Sequence, residues 1–301
     1  VGQINAFSGF VANGTVWIKE QRSAPEGDRR AGRPGRSELV LHSILTGNTN
    51  TLPAPRGRII AMDGVAGGNG LKAAIVIHEM RSDERAVSAW STSFAPVLAE
   101  ERGRPEPEGR MRGRRDDDGT WRSYLQGSAW SGPPIAIAIS PDGRLAAVPE
   151  PDGSVHVWSL AEFPEGKRPV VTIPNPNDLA TGLKFTPNSS ALAIGYFGSS
   201  AAVFDIPAGT KTLGPIEHDG GIIGITISRD GAQLLTRSLD QTARLWDATT
   251  GVPLTEPMLH DSYVVGGYLS AQSKSAVTIG YDGQVKVWDI AGGNAQGESL
   301  S

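Results

Sequence analysis

The sequence predicts an all-β fold built from repeated antiparallel strand meanders, and three observations lead to that prediction. Short runs alternate apolar residues with small or polar ones, as strands with one buried face do. Gly and Pro are frequent, with 38 and 21 copies in 301 residues, and many short strands require many turns. Aromatic residues also recur at a fixed period, because Phe204, Trp246 and Trp288 follow one another at intervals of 42 residues.

The clearest repeat unit is the stretch 218–247. Its predicted elements are, in order, a strand that turns Ile223, Ile225 and Ile227 toward the core, a tight turn at 228–231, a strand at 234–238, a turn at 240–242 and a strand at 243–247. Three short strands cannot bury both faces of the sheet they form, so the unit needs neighbours of the same kind.

Four polar or aromatic side chains stand at characteristic places in this stretch. His218 opens the unit, Ser238 ends the second strand, Asp240 lies in the following turn, and Trp246 stands six residues after that Asp, with Asp247 closing the unit. With these residues the stretch resembles a WD repeat, a family in which the four side chains form a hydrogen-bond chain that ties the strands of one blade together. The resemblance therefore implies a structural tetrad of His218, Ser238, Asp240 and Trp246, and a β-propeller of four-stranded antiparallel blades.

The other units keep only parts of this pattern. In the last unit His260, Asp282 and Trp288 reproduce the spacing, but Gly280 stands at the expected hydroxyl position, so a partial tetrad is predicted there. Such decay is expected where packing between blades supplies most of the stability.

The two earlier units preserve mainly the aromatic residue that closes each blade. Trp158 keeps Asp152 six residues ahead but has Glu150 at the hydroxyl position. Phe204 has Gly198 where the Asp should be. We therefore predict Trp158, Asp152 and Phe204 as blade closers without a complete tetrad.

The stretch before residue 130 has weaker signals. The predicted strands are two in 4–19 around an Asn-Gly turn at 13–14, then 38–45, 58–63, 73–80, 85–90 and 120–125. Two inserts, at about 20–37 and 99–119, have many charged residues and few large apolar ones, so we predict mobile loops between third and outer strands.

We predict a single propeller domain over 1–301 with six recognisable blades. The chain begins at Val1 within a repeat pattern, which suggests a fragment of a larger protein in which seven blades are possible. The first unit is expected to lack an inner strand. The last is expected to lack an outer strand, because residues after Ala291 are mostly polar.

Composition excludes several classes of function. The net charge of -4 gives no overall attraction to nucleic acid or anionic membranes, and the basic runs are interrupted by acids without interleaved aromatics. No apolar run approaches the roughly 20 residues of a membrane-spanning helix. The absence of Cys excludes thiolate metal sites and suits a reducing compartment, so we predict a cytoplasmic location.

The motifs that could indicate catalysis or ligand binding are better explained by structural roles. His218, Ser238 and Asp240 offer the residue types of a hydrolytic triad, but a triad needs an exposed nucleophile and an oxyanion site. The glycine-rich stretch 64–70 lacks a following Gly-Lys-Ser/Thr, and the acids 116–118 lack the spaced oxygens of a calcium loop. We predict no catalytic, cofactor-binding or metal-binding residues, and no cofactor.

The resemblance implies a protein partner bound on a propeller face or rim, and a non-catalytic scaffold or sensor. The amino-acid sequence of 238–260 is similar to those of bacterial WD-repeat arrays that follow Ser/Thr kinase or STAND-type NTPase domains, which suggests a signalling protein. The alternative is a propeller enzyme, lactonase-like or quinone-dependent, with its active site at the central channel. The sequence does not predict the partner, the binding face, the oligomeric state or the role of the two inserts.

Overall fold

The structure is a computed structural model. It describes the backbone of residues 8–11, 16–22, 37–43, 49–53, 58–67, 70–81, 84–91, 112–115, 121–124, 136–150, 153–160, 169–174, 178–290 and 296–300. Side chains are described at 63 and throughout 136–150, 153–160, 169–174 and 178–290. All regular elements in these ranges are β-strands, and we find no helix there of the length and apolarity that a membrane crossing requires.

The chain divides into two compact units, which we describe separately. One comprises Val1–Ser131 with Ser159–Arg168, and the other comprises Gly132–Trp158 with Pro169–Ser301. The predicted all-β class is confirmed, and so are antiparallel four-stranded sheets of the kind that form WD-repeat propeller blades. A single domain over 1–301 and the number of blades remain predictions.

The first unit contains a four-stranded and a five-stranded sheet. Its strands are β1 (Ser8–Val11), β2 (Val16–Arg22), β3 (Ser37–Ser43), β4 (Thr49–Pro53), β5 (Arg58–Gly67), β6 (Gly70–Arg81), β7 (Glu84–Ser91), β8 (Arg112–Arg115) and β9 (Trp121–Tyr124). The sheet orders are β1-β2-β3-β4 and β5-β6-β7-β9-β8.

Two predictions about the first sheet are wrong. It does not lack a strand, because β4 pairs with β3 from Glu38↔Pro53 to His42↔Thr49. The first insert also joins the second and third strands, β2 and β3, rather than the third and outer ones. The sequence of β4, TNTLP, has one large apolar residue. An outer strand pairs with one neighbour only, so it can form with few apolar side chains.

Four residues of the second insert form a strand. Arg112–Arg115, which we predicted to be mobile, forms β8 at the sheet edge and pairs with β9 from Arg112↔Tyr124 to Arg115↔Trp121. Charged side chains are common on edge strands because they discourage pairing with another chain. The remaining positions of both inserts, 23–36, 99–111 and 116–119, lie outside the described residues.

The second unit contains four sheets of four strands in sequence order. Their strands are β10 (Ala138–Ile139), β11 (Leu145–Pro149), β12 (Val155–Ser159), β13 (Val171–Ile173), β14 (Ala180–Phe185), β15 (Ala191–Tyr196), β16 (Ser200–Asp205), β17 (Lys211–Glu217), β18 (Ile222–Ile227), β19 (Gln233–Ser238), β20 (Thr242–Asp247), β21 (Met258–Leu259), β22 (Val264–Leu269), β23 (Ser275–Gly280), β24 (Val285–Asp289) and β25 (Gln296–Leu300).

The last sheet corrects a further prediction. We expected no strand after Ala291, yet β25 pairs with β24 from Val285↔Leu300 to Asp289↔Gln296. Its sequence, QGESL, is polar because an outer strand obtains its stability mainly from backbone hydrogen bonds to one neighbour. Sequence hydropathy therefore underestimates strands of this kind.

The first strand of each full repeat contains an irregularity that the sequence pattern concealed. Register shifts lie between Ala180 and Gly182 in β14, Ile222 and Gly224 in β18, and Val264 and Gly266 in β22. A bulge moves the following residues to the other face of the strand.

The bulge in β18 corrects the predicted core positions. Ile222 is fully buried, although the predicted alternation left it out. Ile225 is buried as expected, whereas Ile223 and Ile227 are only partly buried. Strict alternation is therefore wrong for this strand.

Apolar side chains pack between consecutive sheets of the second unit. One cluster joins the β14–β17 and β18–β21 sheets, and its buried members are Ala193, Ala201, Val203, Ile216, Ile222, Ile225, Leu234 and Trp246. Another joins the β18–β21 and β22–β25 sheets, and includes Leu235, Leu245, Val264 and Trp288. Each sheet is thus stabilised by its neighbours, as in other repeat proteins.

Candidate functional site

The most connected polar cluster lies in the β18–β21 sheet. His218 follows β17, Asp240 lies in the turn between β19 and β20, and Trp246 stands near the end of β20. Thr236 in β19 completes the cluster. The side chain of His218 is fully buried and that of Asp240 is 6% exposed, so these groups interact with one another rather than with water.

Three hydrogen bonds join these residues into a chain. His218 Nδ1 lies 2.8 Å from Asp240 Oδ2, and His218 Nε2 lies 2.7 Å from Thr236 Oγ1. Trp246 Nε1 donates to Thr236 Oγ1 at 2.9 Å. With a neutral imidazole, Trp246 donates to Thr236, Thr236 to His218, and His218 to Asp240. Every buried polar atom along this path is then satisfied.

The prediction that Ser238 supplies the hydroxyl of this chain is wrong. Thr236 does so, because it lies on the same face of β19 two residues nearer the middle of the strand, where it reaches both rings. Ser238 Oγ instead donates to Gly220 O at 2.8 Å and accepts from Asp240 N at 3.0 Å. Ser238 therefore fixes the loop before β18 against the turn that carries Asp240.

Asp240 is the most heavily bonded carboxylate of the site. Oδ2 accepts from His218 and from Asp219 N, the latter at 3.1 Å. Oδ1 accepts from Thr242 N at 2.8 Å and Thr242 Oγ1 at 2.7 Å. Burial alone raises the pKa of Asp240, but the bonds from Thr242 and His218 outweigh burial and hold that pKa below its usual value.

The buried histidine is held neutral. Burial lowers the pKa of His218 below its ordinary value, although the Asp240 carboxylate acts in the opposite direction. The neutral form leaves Nε2 as an acceptor for Thr236. The imidazole also meets the indole of Trp246 edge-on, with ring centroids 6.3 Å apart.

Stability should fall when the pH drops below about 6.5, the ordinary pKa of His. Burial, followed by the charge of Lys286, also lowers the pKa of His260. Below pH 6.5 the unfolded chain therefore binds protons that the folded chain does not bind until its own lower pKa values are reached, so acid favours unfolding. Urea unfolding between pH 7 and 5 measures this loss.

The control for this pH dependence is the His218→Gln, His260→Gln double variant, whose urea midpoint should change less between pH 7 and 5. The bonded carboxylates contribute in a separate window, below about pH 4, because their folded pKa values are lowered. A wild-type midpoint that is flat from pH 7 to 5 would contradict the assignment of a neutral, buried His218.

The β22–β25 sheet repeats most of this chain. His260 Nε2 lies 2.6 Å from Thr278 Oγ1, to which Trp288 Nε1 donates at 2.6 Å. The hydroxyl is thus present at Thr278, and the prediction that Gly280 removes it is wrong. The break is at the carboxylate, because His260 Nδ1 has no hydrogen-bond partner among the described residues and Asp282 accepts from Gln284 N instead.

The β10–β13 sheet keeps the aromatic residue, but no such chain joins the side chains that are described there. Trp158 is buried, and its Nε1 has no hydrogen-bond partner among the described residues. The residue ten positions before it, where the other sheets have Thr236 and Thr278, is Val148. Glu150 bonds His156 Nδ1 at 3.2 Å instead. Asp152, predicted to accompany Trp158, lies outside the described residues.

The β14–β17 sheet replaces the missing carboxylate from another position. Phe204 closes this sheet, and Gly198 occupies the turn position of Asp240. Asp178, in the loop before β14, accepts from Gly198 N and Leu179 N, both at 2.8 Å. A Cβ at Gly198 would lie 2.4 Å from Asp178 Oδ2. The loop before β14 and the turn at Gly198 are therefore still joined by a carboxylate. Here the carboxylate belongs to the loop, whereas in the β18–β21 sheet it belongs to the turn.

This exchange predicts coupling between the two positions. Gly198→Asp should destabilise the chain by about 1–2 kcal/mol, because a second carboxylate enters the space of Asp178. Asp178→Gly should also destabilise, through two lost hydrogen bonds. The double variant restores the arrangement of Gly220 and Asp240, so it should cost less than the sum of the single variants. Urea midpoints of the four proteins test this, and additive costs would exclude the exchange.

Thr236 could have been identified from the sequence by its spacing from the closing Trp, whereas its position relative to Asp240 pointed to Ser238 instead. Thr236 and Thr278 each lie ten residues before a closing Trp, and aligning the repeats on Trp246 and Trp288 places the two hydroxyls together. No comparable signal marks Asp178, because its role depends on an approach between a loop and a turn 20 residues apart.

The residues of the hydrolytic triad that we considered are not arranged as one. His218 Nε2 faces Thr236, which is fully buried, and Ser238 Oγ bonds to backbone carbonyls. Within the described residues, no group of three or more His, Cys, Asp or Glu side chains could hold a metal ion. The absence of catalytic and cofactor-binding residues remains a prediction.

The fold and this cluster define a repeat protein of antiparallel four-stranded sheets, with polar side chains bonded across the strands of individual sheets. Residues 210–247 match the family described as WD domain, G-beta repeat, so the chain carries a WD repeat. Among curated proteins no match to the chain was found. WD repeats usually act as non-catalytic modules that bind other proteins.

Proposed function

We propose that this chain is a non-catalytic scaffold or sensor module of a larger bacterial signalling protein in the cytoplasm, and that it binds a protein partner on one face or rim. The main support is that the strongest polar cluster, His218–Thr236–Trp246 with Asp240, is buried and bonded internally. Such a cluster stiffens a sheet and presents no reactive group, as a rigid binding platform requires.

Exposed apolar residues in equivalent turns support a binding surface. Phe197 and Tyr281 stand in the turns after the second strands of their sheets and are 46% and 75% exposed. Tyr263, 47% exposed, lies against Tyr281 with ring centroids 6.5 Å apart. Aromatic residues are enriched at protein interfaces. We call Phe197, Tyr263 and Tyr281 the turn aromatics.

Proximity labelling in the cells that produce the protein tests this proposal. The wild type is compared with Phe197→Ala, with Tyr281→Ala and with Val252→Ser, which removes an exposed apolar residue outside these turns. We expect a labelled protein that is lost with both alanine variants and kept with Val252→Ser. An identical labelling pattern for all four proteins would contradict binding through these turns.

A further inference from the structure

Arg237 in β19 is a partly buried cation without an acidic partner among the described residues. Its guanidinium reaches between β18 and β22, where Nη1 donates to Val265 O. Nε is closed off from solvent and has no hydrogen-bond partner there. Nη2 also donates to no described residue, but part of the side chain remains accessible. By contrast, Arg244 in the next strand pairs with Asp219 at 2.9 Å.

The neighbouring repeats show that the sheet itself does not need this charge. The position of Arg237 is occupied by Gly195 in β15 and by Ile279 in β23. Burial lowers the pKa of Arg237 from its ordinary value, although a guanidinium stays protonated in proteins. Burying a cation without a counter-charge is unfavourable, so its presence at a site that accepts Gly or Ile needs a compensating role.

A second departure from the repeat pattern fits the first. Gly267 in β22 stands where β14 and β18 have Leu183 and Ile225. A Cβ at Gly267 would lie 2.7 Å from Arg237 Cδ, so a larger side chain would displace the arginine stem. The loss of a core side chain at 267 therefore makes room for the arginine at 237.

The surroundings of Arg237 are apolar and exposed. Val265, whose carbonyl receives the guanidinium, is 41% exposed. Tyr263 stands two residues earlier and contacts Tyr281. A strand advances about 3.3 Å per residue, so these turn aromatics lie within the reach of a short peptide from the cation. Burial lowers the pKa of Arg237, and Tyr268, which is 50% exposed, acts on that pKa in the opposite direction.

We propose that Arg237 binds a carboxylate of an acidic peptide segment from the protein partner, while the turn aromatics Tyr263 and Tyr281 hold apolar residues beside it. The carboxylate accepts from Nη2 and supplies the missing counter-charge. One arginine suits a singly charged carboxylate, whereas phosphate groups are usually bound by clusters of cations. This inference rests on the proposed function and specifies the chemistry of the partner.

The test uses the full chain and two fluorescein-labelled peptide libraries. One has a fixed central Glu flanked by aromatic and aliphatic residues, and the twin library has Gln at that position. We expect the Glu library to bind at least about tenfold more tightly than the Gln library. Arg237→Ile, which introduces the residue of Ile279, should remove that difference, while Arg229→Ile at an exposed turn should leave it intact.

Thermal unfolding of the same variants separates binding from structure. Arg237→Ile should melt at or above the wild-type temperature, because a partly buried cation without a counter-charge is replaced by an apolar side chain. A lower melting temperature together with unchanged selectivity for Glu would overturn the proposal and leave Arg237 as a clamp on Val265. If that variant does not fold, Arg237→Gln is used, and equal binding of both libraries is again the expected result.

Two further arms identify which proposal fails. In one, inorganic phosphate and acetate compete with the Glu peptides. Displacement by phosphate at a lower concentration than by acetate would overturn the carboxylate assignment in favour of a phosphate ligand. In the other, suppose that the partner is still labelled by the Arg237→Ile variant and no longer labelled by Tyr281→Ala. That result would leave the scaffold function intact and reject the role of Arg237. If neither library binds and no variant changes the labelling, both proposals fail.

Discussion

Thr236→Val is expected to lower the free energy of unfolding by about 3 kcal/mol, because one hydroxyl satisfies two buried rings. Removing it leaves His218 Nε2 and Trp246 Nε1 without partners in a fully buried environment, while valine preserves the shape of the side chain. Each unsatisfied buried group costs about 1–3 kcal/mol. Urea unfolding measures the loss.

Ser238→Ala is the matched control, because it removes the hydroxyl that the sequence spacing favoured. It should also destabilise the sheet, since Ser238 bonds Gly220 O and Asp240 N. The indole N–H of Trp246 separates the two variants: its hydrogen exchange should accelerate in Thr236→Val and stay slow in Ser238→Ala. The reverse pattern would restore Ser238 to the chain. In the β10–β13 sheet, Trp158 Nε1 has no hydrogen-bond partner among the described residues, and Val148 stands at the position of Thr236.

The repeat architecture could be predicted because it depends on spacing along the chain. Phe204, Trp246 and Trp288 occupy equivalent positions, pairing with Leu192, Leu234 and Ala276 in the preceding strand. Each must fill the same gap between sheets, so the period of 42 residues persists after the polar residues have changed. The strands around these aromatics were predicted for the same reason.

Features that depend on an approach between distant segments were not predicted. Asp178 compensates for Gly198 from 20 residues away, and Arg237 is accommodated by Gly267 on another strand. The outer strand β25 has few apolar residues, since backbone pairing is enough to hold it. Hydropathy and motif spacing detect neither kind of feature, although a comparison of aligned repeats would have shown that residues 237 and 267 both depart from the pattern.

Asp240→Asn is expected to cost about 3 kcal/mol, even though the two side chains have nearly the same shape. Each carboxylate oxygen accepts from two donors: Oδ2 from His218 Nδ1 and Asp219 N, and Oδ1 from Thr242 N and Thr242 Oγ1. Either orientation of the amide therefore places its NH₂ group against two donors, and no rotation removes the conflict. The charge that favours the bonded imidazole is also lost.

The equivalent residue in the next sheet gives the control. Asp282 is exposed and accepts from Gln284 N through Oδ1, so an amide can turn its oxygen toward that donor. Asp282→Asn should therefore leave the urea midpoint almost unchanged, while Asp240→Asn lowers it. Equal effects of the two substitutions would show that the contacts of Asp240 add nothing beyond those of an exposed turn carboxylate. A large difference would instead show how one repeat retains a buried tetrad while its neighbour, with the same His and Trp, does without the carboxylate.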